Sequence, residues 1–149
     1  MSLELDIQNG IKAAMLAKEK VKLESLRAVK AAILLAKTAD GSETISDEAI
    51  LKIIQKLVKQ RKESAELYKA QNRPELAENE LAEASCMEVF LPKQLSEEEL
   101  AVELKKIIEA VGAKGPQDMG KVMGTATKQL SGKAEGKAIS AMVKQLLAQ

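Results

Sequence analysis

Apolar residues recur at intervals of three and four through most of the chain, and this spacing limits what the chain can fold into. The clearest run begins at Ile50 and continues through Ile53, Ile54, Leu57 and Val58. Such a spacing places the side chains on one face of an α-helix, whereas a half-buried strand requires alternation with a period of two. No segment alternates in this way, so we expect an all-α protein.

The composition supports helices packed through aliphatic side chains. Apolar residues make up 46% of the 149 residues, but aromatic residues only 1%, namely Tyr68 and Phe90. The core must therefore consist of Leu, Ile, Val, Met and Ala. Sheets would be expected to bring more β-branched and aromatic residues.

Capping signals divide the pattern into helices. Gly41 and Gly112 follow apolar stripes and can take the left-handed conformation that ends a helix. Ser46 can cap the longest helix. Ser96 with Glu99 has the spacing of a capping box, and Pro92 predicts the end of the preceding helix. We expect an N-terminal domain of about four helices over residues 1–92 and a three-helix tail domain over residues 96–149.

Charge is distributed unevenly along the chain. The net charge is +1, but residues 1–111 carry 17 Lys and Arg against 20 Asp and Glu, whereas residues 112–149 carry six Lys against Asp118 and Glu135. A net charge of −3 is thus followed by one of +4. The basic end is either a solvated face or a surface that meets a polyanion.

Several classes of chemistry are disfavoured. The chain has no histidine, which excludes histidine-based triads and histidine metal sites. Cys86 is the only cysteine, so no intramolecular disulfide forms, which fits a reducing cytosol. We expect no metal and no cofactor. The first residues do not resemble a secretory signal, and no apolar run approaches the roughly 20 residues that span a bilayer.

Glycine and lysine are concentrated in residues 118–137, "DMGKVMGTATKQLSGKAEGK". Gly115 to Lys121 matches most of a phosphate-binding Walker loop, but Val122 replaces the required hydroxyl and a helical pattern precedes it. A nucleotide site is therefore disfavoured. Gly120 and Gly124 lie one turn apart on a predicted helix, where each glycine costs about 1 kcal/mol relative to alanine.

Two interpretations of these glycines remain open. Either they permit close packing within the protein, with the lysines serving solubility, or they let an anionic ligand approach the main chain. In the second case the amides near Gly132 and Gly136 would face outward at a helix start, where phosphate binds readily. Lys121, Lys128, Lys133 and Lys137 would supply the surrounding charge.

The same stretch, extended to "QDMGKVMGTATKQLSGKAEGKAISAMVKQLL", resembles the tail of the YqeY-like family. Four upstream segments are also similar to that family: "LESLRAVKAAI", "KQRKESAELY", "RPELAENELAE" and "FLPKQLSEEEL". The family shares its tail with the B subunit of the tRNA-dependent Asp/Glu amidotransferase. Essentially the whole chain is covered by these motifs in order.

The resemblance implies a cytoplasmic protein of bacterial type whose tail holds tRNA, with an amidotransferase or an aminoacyl-tRNA synthetase as further possible partners. The domains that carry out transamidation in the amidotransferase are missing from this chain. Carried over by position, the RNA-contacting residues would be Gly120, Lys121, Gly124, Lys128, Gly132, Lys133, Gly136 and Lys137. Glu135 departs from the Asp expected in many relatives and is a poorer helix cap.

Family members are also assigned glutamine-dependent carbon–nitrogen ligase activity by similarity. The residues show no catalytic constellation, so we expect a non-catalytic tRNA-binding accessory module. The alternative is a protein-interaction module with exposed apolar residues around Leu67 and Tyr68. Arg27 and Lys30 flank the apolar stripe of the second helix, and Arg61 lies on the stripe of the third. These residues either contact a partner or RNA, or form ion pairs within the chain, since a buried or half-buried Arg usually pairs with a carboxylate.

Overall fold

A computed structural model of the protein describes residues 2–148, and these residues form helices and turns without any strand. The all-α prediction is therefore confirmed for this part of the chain. The helices are α1 (Leu3–Ala17), α2 (Lys20–Asp40), α3 (Asp47–Ala70), α4 (Pro74–Glu88), α5 (Glu97–Val111), α6 (Met119–Gln129) and α7 (Gly136–Leu147), with a 3-10 turn at Pro116–Asp118. None of these helices is both long enough and apolar enough to cross a membrane.

Local capping explains several helix ends. The Ser46 hydroxyl accepts a hydrogen bond from the Ala49 amide at 3.1 Å. Gly41 and Gly112 end α2 and α5 in the left-handed region, with φ of 66° and 70°. These are the positions that the sequence predicted, because such caps need only residues three or four apart.

The chain divides into two compact units, of which the first ends at Leu91 and the second begins at Pro92. Four α-helices precede this boundary and three follow it. Whether the units fold as separate domains, with the predicted limits of 1–92 and 96–149, stays a prediction.

The first unit buries an aliphatic core drawn from all four of its helices, formed by Ile7, Val29, Ile33, Ile50, Ile54, Val58, Ala84 and Met87. Arg61 extends the α3 stripe beside this core. Its Nε donates to Glu83 Oε2 at 3.1 Å and lies 3.9 Å from Glu80 Oε2, both carboxylates belonging to α4. The interpretation of Arg61 as the partner of a carboxylate within the chain is therefore confirmed.

The end of α4 differs from the prediction. We expected this helix to continue to Pro92, but it ends at Glu88. A residue that precedes proline is disfavoured in the helical conformation, which affects Leu91. Phe90 and Leu91 instead pack, half-buried, against the first core.

The second unit has its own core, shared by α5, α6 and α7: Leu100, Leu104, Ile107, Val122, Ala126, Leu130, Ile139, Val143 and Leu147. The segment before α5 is fixed to the turn between α6 and α7. The Leu95 amide donates to the Lys133 carbonyl at 2.9 Å, and Gln94 Nε2 donates to the Gly132 carbonyl at 2.6 Å. These bonds orient the three helices around one core.

Candidate nucleic-acid interface

The exposed side of α6 carries a shallow groove with a volume of about 470 Å³. Its lining consists of two adjacent rows with a spacing of four residues. One row is Gly120, Gly124 and Lys128; the other is Lys121, Thr125 and Gln129. Because residues four apart lie above one another on a helix, the first row is nearly bare main chain. We call this feature the glycine–lysine groove.

The glycines of this groove face open space. A Cβ atom built on Gly120 or Gly124 would have no neighbouring atom within 4 Å, and both residues are exposed. The opposite side of α6, with Val122 and Ala126, is the one that enters the core. Close packing within the chain therefore does not explain why two glycines occupy α6, where Gly124 alone costs about 1 kcal/mol relative to alanine.

The groove is positively charged without internal compensation. No Asp or Glu occurs between Asp118 and Glu135 in the sequence. Among the described residues, neither Lys121 nor Lys128 has an ion-pair partner. The Asp118 carboxylate is engaged elsewhere, because its Oδ2 accepts a hydrogen bond from the Lys114 amide at 2.8 Å. The two ammonium groups are therefore available to an external anion.

Gly132 does not belong to the exposed surface. It is buried, with a left-handed φ of 78°, and its carbonyl accepts the Gln94 bond described above. The neighbouring Lys133 amide donates to the Leu130 carbonyl at 3.0 Å. Gly132 therefore does not face outward as expected, because it is buried and the carbonyls of Gly132 and Lys133 hold the segment before α5.

The start of α7 does remain accessible. Gly136 and Lys137 are exposed in its first turn, and the Lys133 side chain is exposed in the preceding turn. Glu135 is the N-cap residue, but its side chain makes no capping hydrogen bond. This agrees with the expectation that Glu is a poor local cap. None of these residues lines the glycine–lysine groove.

Sequence reasoning missed Thr125 and Gln129 as groove residues. The signal was present, since both follow Lys121 at multiples of four. The Thr125 hydroxyl and the Gln129 amide have no hydrogen-bond partner among the described residues. By contrast, the Ser25 and Thr38 hydroxyls donate to carbonyls four residues earlier, at 2.7 and 2.9 Å. The groove thus presents free polar groups between its lysines.

The other candidate chemistries find little support. The segment before Gly115 is helix α5 and not a strand, so the Walker-like match lacks its structural context. No group of three or more acidic or cysteine residues in the described part of the chain could hold a metal ion. Cys86 is half-buried on α4. Glu99 completes the capping box of α5 with Ser96.

A small two-unit helical protein with a basic, glycine-lined groove is the class that these observations define. The family described as Yqey-like protein matches residues 4–147. The chain therefore belongs to the YqeY-like family, and the resemblance noted in the sequence is confirmed.

Two relatives carry the name "Altered inheritance of mitochondria protein 41, mitochondrial". The protein from Meyerozyma guilliermondii is 41% identical over 86 residues, which cover 57% of this chain and 44% of the relative. The protein from Pyrenophora tritici-repentis is 30% identical over 131 residues, which cover 86% of this chain and 71% of the relative. The matched part thus spans less than half of the first relative. Both names place these relatives in mitochondria, so they lend no support to the expected bacterial cytoplasm.

Proposed function

We propose that this protein is a non-catalytic tRNA-binding accessory module that contacts the RNA backbone through the glycine–lysine groove. The observation that carries the proposal is the pair of open glycines, Gly120 and Gly124, beside the unpaired lysines Lys121 and Lys128. Bare helix main chain beside cations permits close approach of a phosphate backbone. Lys133, Gly136 and Lys137 extend the proposed contact along the tail.

The cost of the glycines supports a ligand as their reason. Gly124, in the interior of α6, lowers helix stability by about 1 kcal/mol relative to alanine, and Gly120, the second residue of that helix, lowers it by less. Within the described chain nothing packs against them to offset this loss. A ligand that approaches the main chain closely would offset it in the bound state.

Readout through phosphates is favoured over base reading. Residues 92–149 contain no arginine and no aromatic residue. Arginine is the commonest side chain in specific contacts to base edges, and aromatic rings stack on splayed bases. Lysines therefore position the RNA without selecting a sequence.

The test is a titration of bulk tRNA in low and high salt. Four lysines would each displace one counterion: Lys121, Lys128, Lys133 and Lys137. Each phosphate contact contributes roughly −0.7 to −0.9 to the slope of log K against log salt, so the total slope should be about −3. Absence of binding at low salt, or binding without a salt slope, would contradict the proposal. Sequencing of the RNA that copurifies with the protein would identify the species.

A protein-interaction module is the second candidate, and exposed leucines at the α3–α4 end of the first unit favour it. Leu67 is 63% exposed and Leu76 is 36% exposed. Scattered exposed leucines are ordinary on protein surfaces, so this observation is weaker than the groove. A pull-down from lysate with and without nuclease separates the two functions, because only a protein partner survives nuclease.

Glutamine-dependent ligase activity is the third possibility, and it predicts release of ammonia from glutamine. We expect none, because no catalytic group has been identified.

The tRNA proposal does not depend on the compartment. tRNA is present both in the cytosol, which we expected, and in mitochondria, which the relatives' names indicate.

A further inference from the structure

We infer that the glycine–lysine groove binds double-helical RNA across its minor groove, with Thr125 and Gln129 contacting ribose 2′-hydroxyls. This inference rests on the proposed function and specifies which part of an RNA the site takes. It predicts a preference for RNA over DNA, which a lysine patch alone would not provide.

The residue types of the second unit argue against a single-stranded ligand. Proteins that hold single strands stack the bases on aromatic side chains or arginine planes. Residues 92–149 contain neither, and Tyr68 and Phe90 belong to the first unit and are half-buried. Since stacking is unavailable to this groove, a ligand whose bases are already stacked within a duplex fits it better.

The shape of the groove suits one side of an RNA duplex. Lys121 and Lys128 are seven residues apart, which places them about 10 Å apart along the helix axis and on nearly the same side. Between them, Gly124 leaves the main chain without a side chain. The minor groove of A-form RNA is wide and shallow, so a smooth helix face can approach it, whereas the major groove is too deep and narrow.

The two uncharged polar side chains of the groove, Thr125 and Gln129, are suited to hydrogen bonding with ribose. A threonine hydroxyl and a glutamine amide each contain both a donor and an acceptor. The ribose 2′-hydroxyl likewise donates and accepts, and it distinguishes RNA from DNA. Thr125 is half-buried, so its position is restrained, and its hydroxyl has no partner among the described residues. The groove can therefore form hydrogen bonds with the ribose 2′-hydroxyls of RNA, which DNA lacks.

The experiment compares four probes at low salt, using the full chain. Three are hairpins of one sequence, made of RNA, DNA and 2′-O-methyl RNA, and the fourth is an RNA of the same length that cannot pair with itself. We expect the RNA hairpin to bind most tightly, by roughly three- to tenfold over the others, which corresponds to the loss of about one or two hydrogen bonds. In the double variant T125V/Q129L the RNA hairpin should lose this advantage and bind no more tightly than the 2′-O-methyl hairpin does.

The controls separate this inference from the proposed function. Variant K121Q/K128Q should weaken binding of every probe, because it removes charge common to all of them. Thermal unfolding of T125V/Q129L checks that the variant folds; if it does not, the 2′-O-methyl probe still tests the inference on the unmodified protein. Equal affinity for the RNA and DNA hairpins, or tighter binding of the single strand, would overturn the inference and leave the proposed function standing. Failure to bind tRNA at all would reject both.

Discussion

Gly120 and Gly124 lie one helical turn apart on the exposed side of α6, and a Cβ atom on either would project into open space, with no neighbour within 4 Å beyond its own helix backbone. Because of this arrangement, we expect replacement of the two glycines to change the stability of the protein and its affinity for tRNA in opposite directions. Replacement of both by alanine should raise the free energy of unfolding, by about 1 kcal/mol at Gly124 and by less at Gly120 in the first turn, because alanine is the better helix former. The same change should weaken tRNA binding, because two methyl groups then stand where the RNA approaches. Denaturant unfolding and a tRNA titration measure the two effects.

A matched control is Gly112→Ala in the same unit. Gly112 has a φ of 70°, which is strained for alanine, so this variant should lose stability. Gly112 does not line the groove, and its replacement should leave the tRNA affinity unchanged. If G120A/G124A binds tRNA as well as the unmodified protein, the glycines serve no ligand.

The groove lysines should contribute to the salt dependence of binding. Variant K121Q/K128Q removes two of the four proposed phosphate contacts, so the slope of log K against log salt should become shallower by about 1.4 to 1.8. The measurement is a series of tRNA titrations at several salt concentrations. Variant K105Q/K106Q removes the same charge from exposed positions on α5 outside the groove. An equal loss of slope in this control would show that only net charge matters.

Arg61 should act in stability and not in binding. The side chains of Arg61 and Glu83 are only 24% and 14% exposed, so solvent screens the attraction between their charges weakly. A double-mutant cycle with R61M and E83Q should give a coupling energy of about 1 kcal/mol in unfolding experiments. The comparison pair is Lys62 with Glu88, which is more exposed and should couple by less than about 0.5 kcal/mol. Loss of tRNA affinity in R61M would instead indicate a direct contact.

The capping box of α5 should make stability depend on pH. Hydrogen bonds from the Ser96 amide and hydroxyl, and then the charge of Lys93, lower the pKa of Glu99. A carboxylate whose pKa is lower in the folded protein stabilises it above the unfolded pKa of about 4.3, and this contribution is lost as the pH falls through the folded value. Variant E99Q should therefore be less stable than the unmodified protein at pH 7, with a smaller difference at pH 3. Variant E97Q removes a charge from the same helix turn, but Glu97 is not the residue that forms the capping box with Ser96, so this variant should change stability less. An equal effect of the two variants would show that the loss comes from the helix dipole alone.

The sequence predicted those features that depend on neighbours within one turn. The caps at Ser46, Gly41 and Gly112 and the box at Ser96 all fall in this class, because the bonds that form them connect residues three to five apart. The all-α class follows from the same local periodicity. The expectation of tRNA as a partner came from the resemblance to the family, because the spacing of apolar residues says nothing about a ligand.

Contacts between distant residues were the part that could not be predicted. Gly132 belongs to the same glycine-rich motif as Gly120, yet one is buried and the other exposed. The difference arises because Gln94, 38 residues away, donates to the Gly132 carbonyl. Nothing in the motif indicates this bond. Likewise, the open space above Gly124 became evident only once the helix face that enters the core was known.

The bonds from Gln94 and Leu95 to the α6–α7 turn also bear on where the tail can be excised. A fragment that starts at Pro92 retains both donors. A fragment that starts at Ser96 lacks them, so the carbonyl oxygens of Gly132 and Lys133 lose their hydrogen bonds. The shorter fragment would have to hydrate a turn that is half shielded from water, so its last helix would dock less firmly. A tail fragment intended to keep these two hydrogen bonds should therefore begin at Pro92, ahead of the first residue of α5.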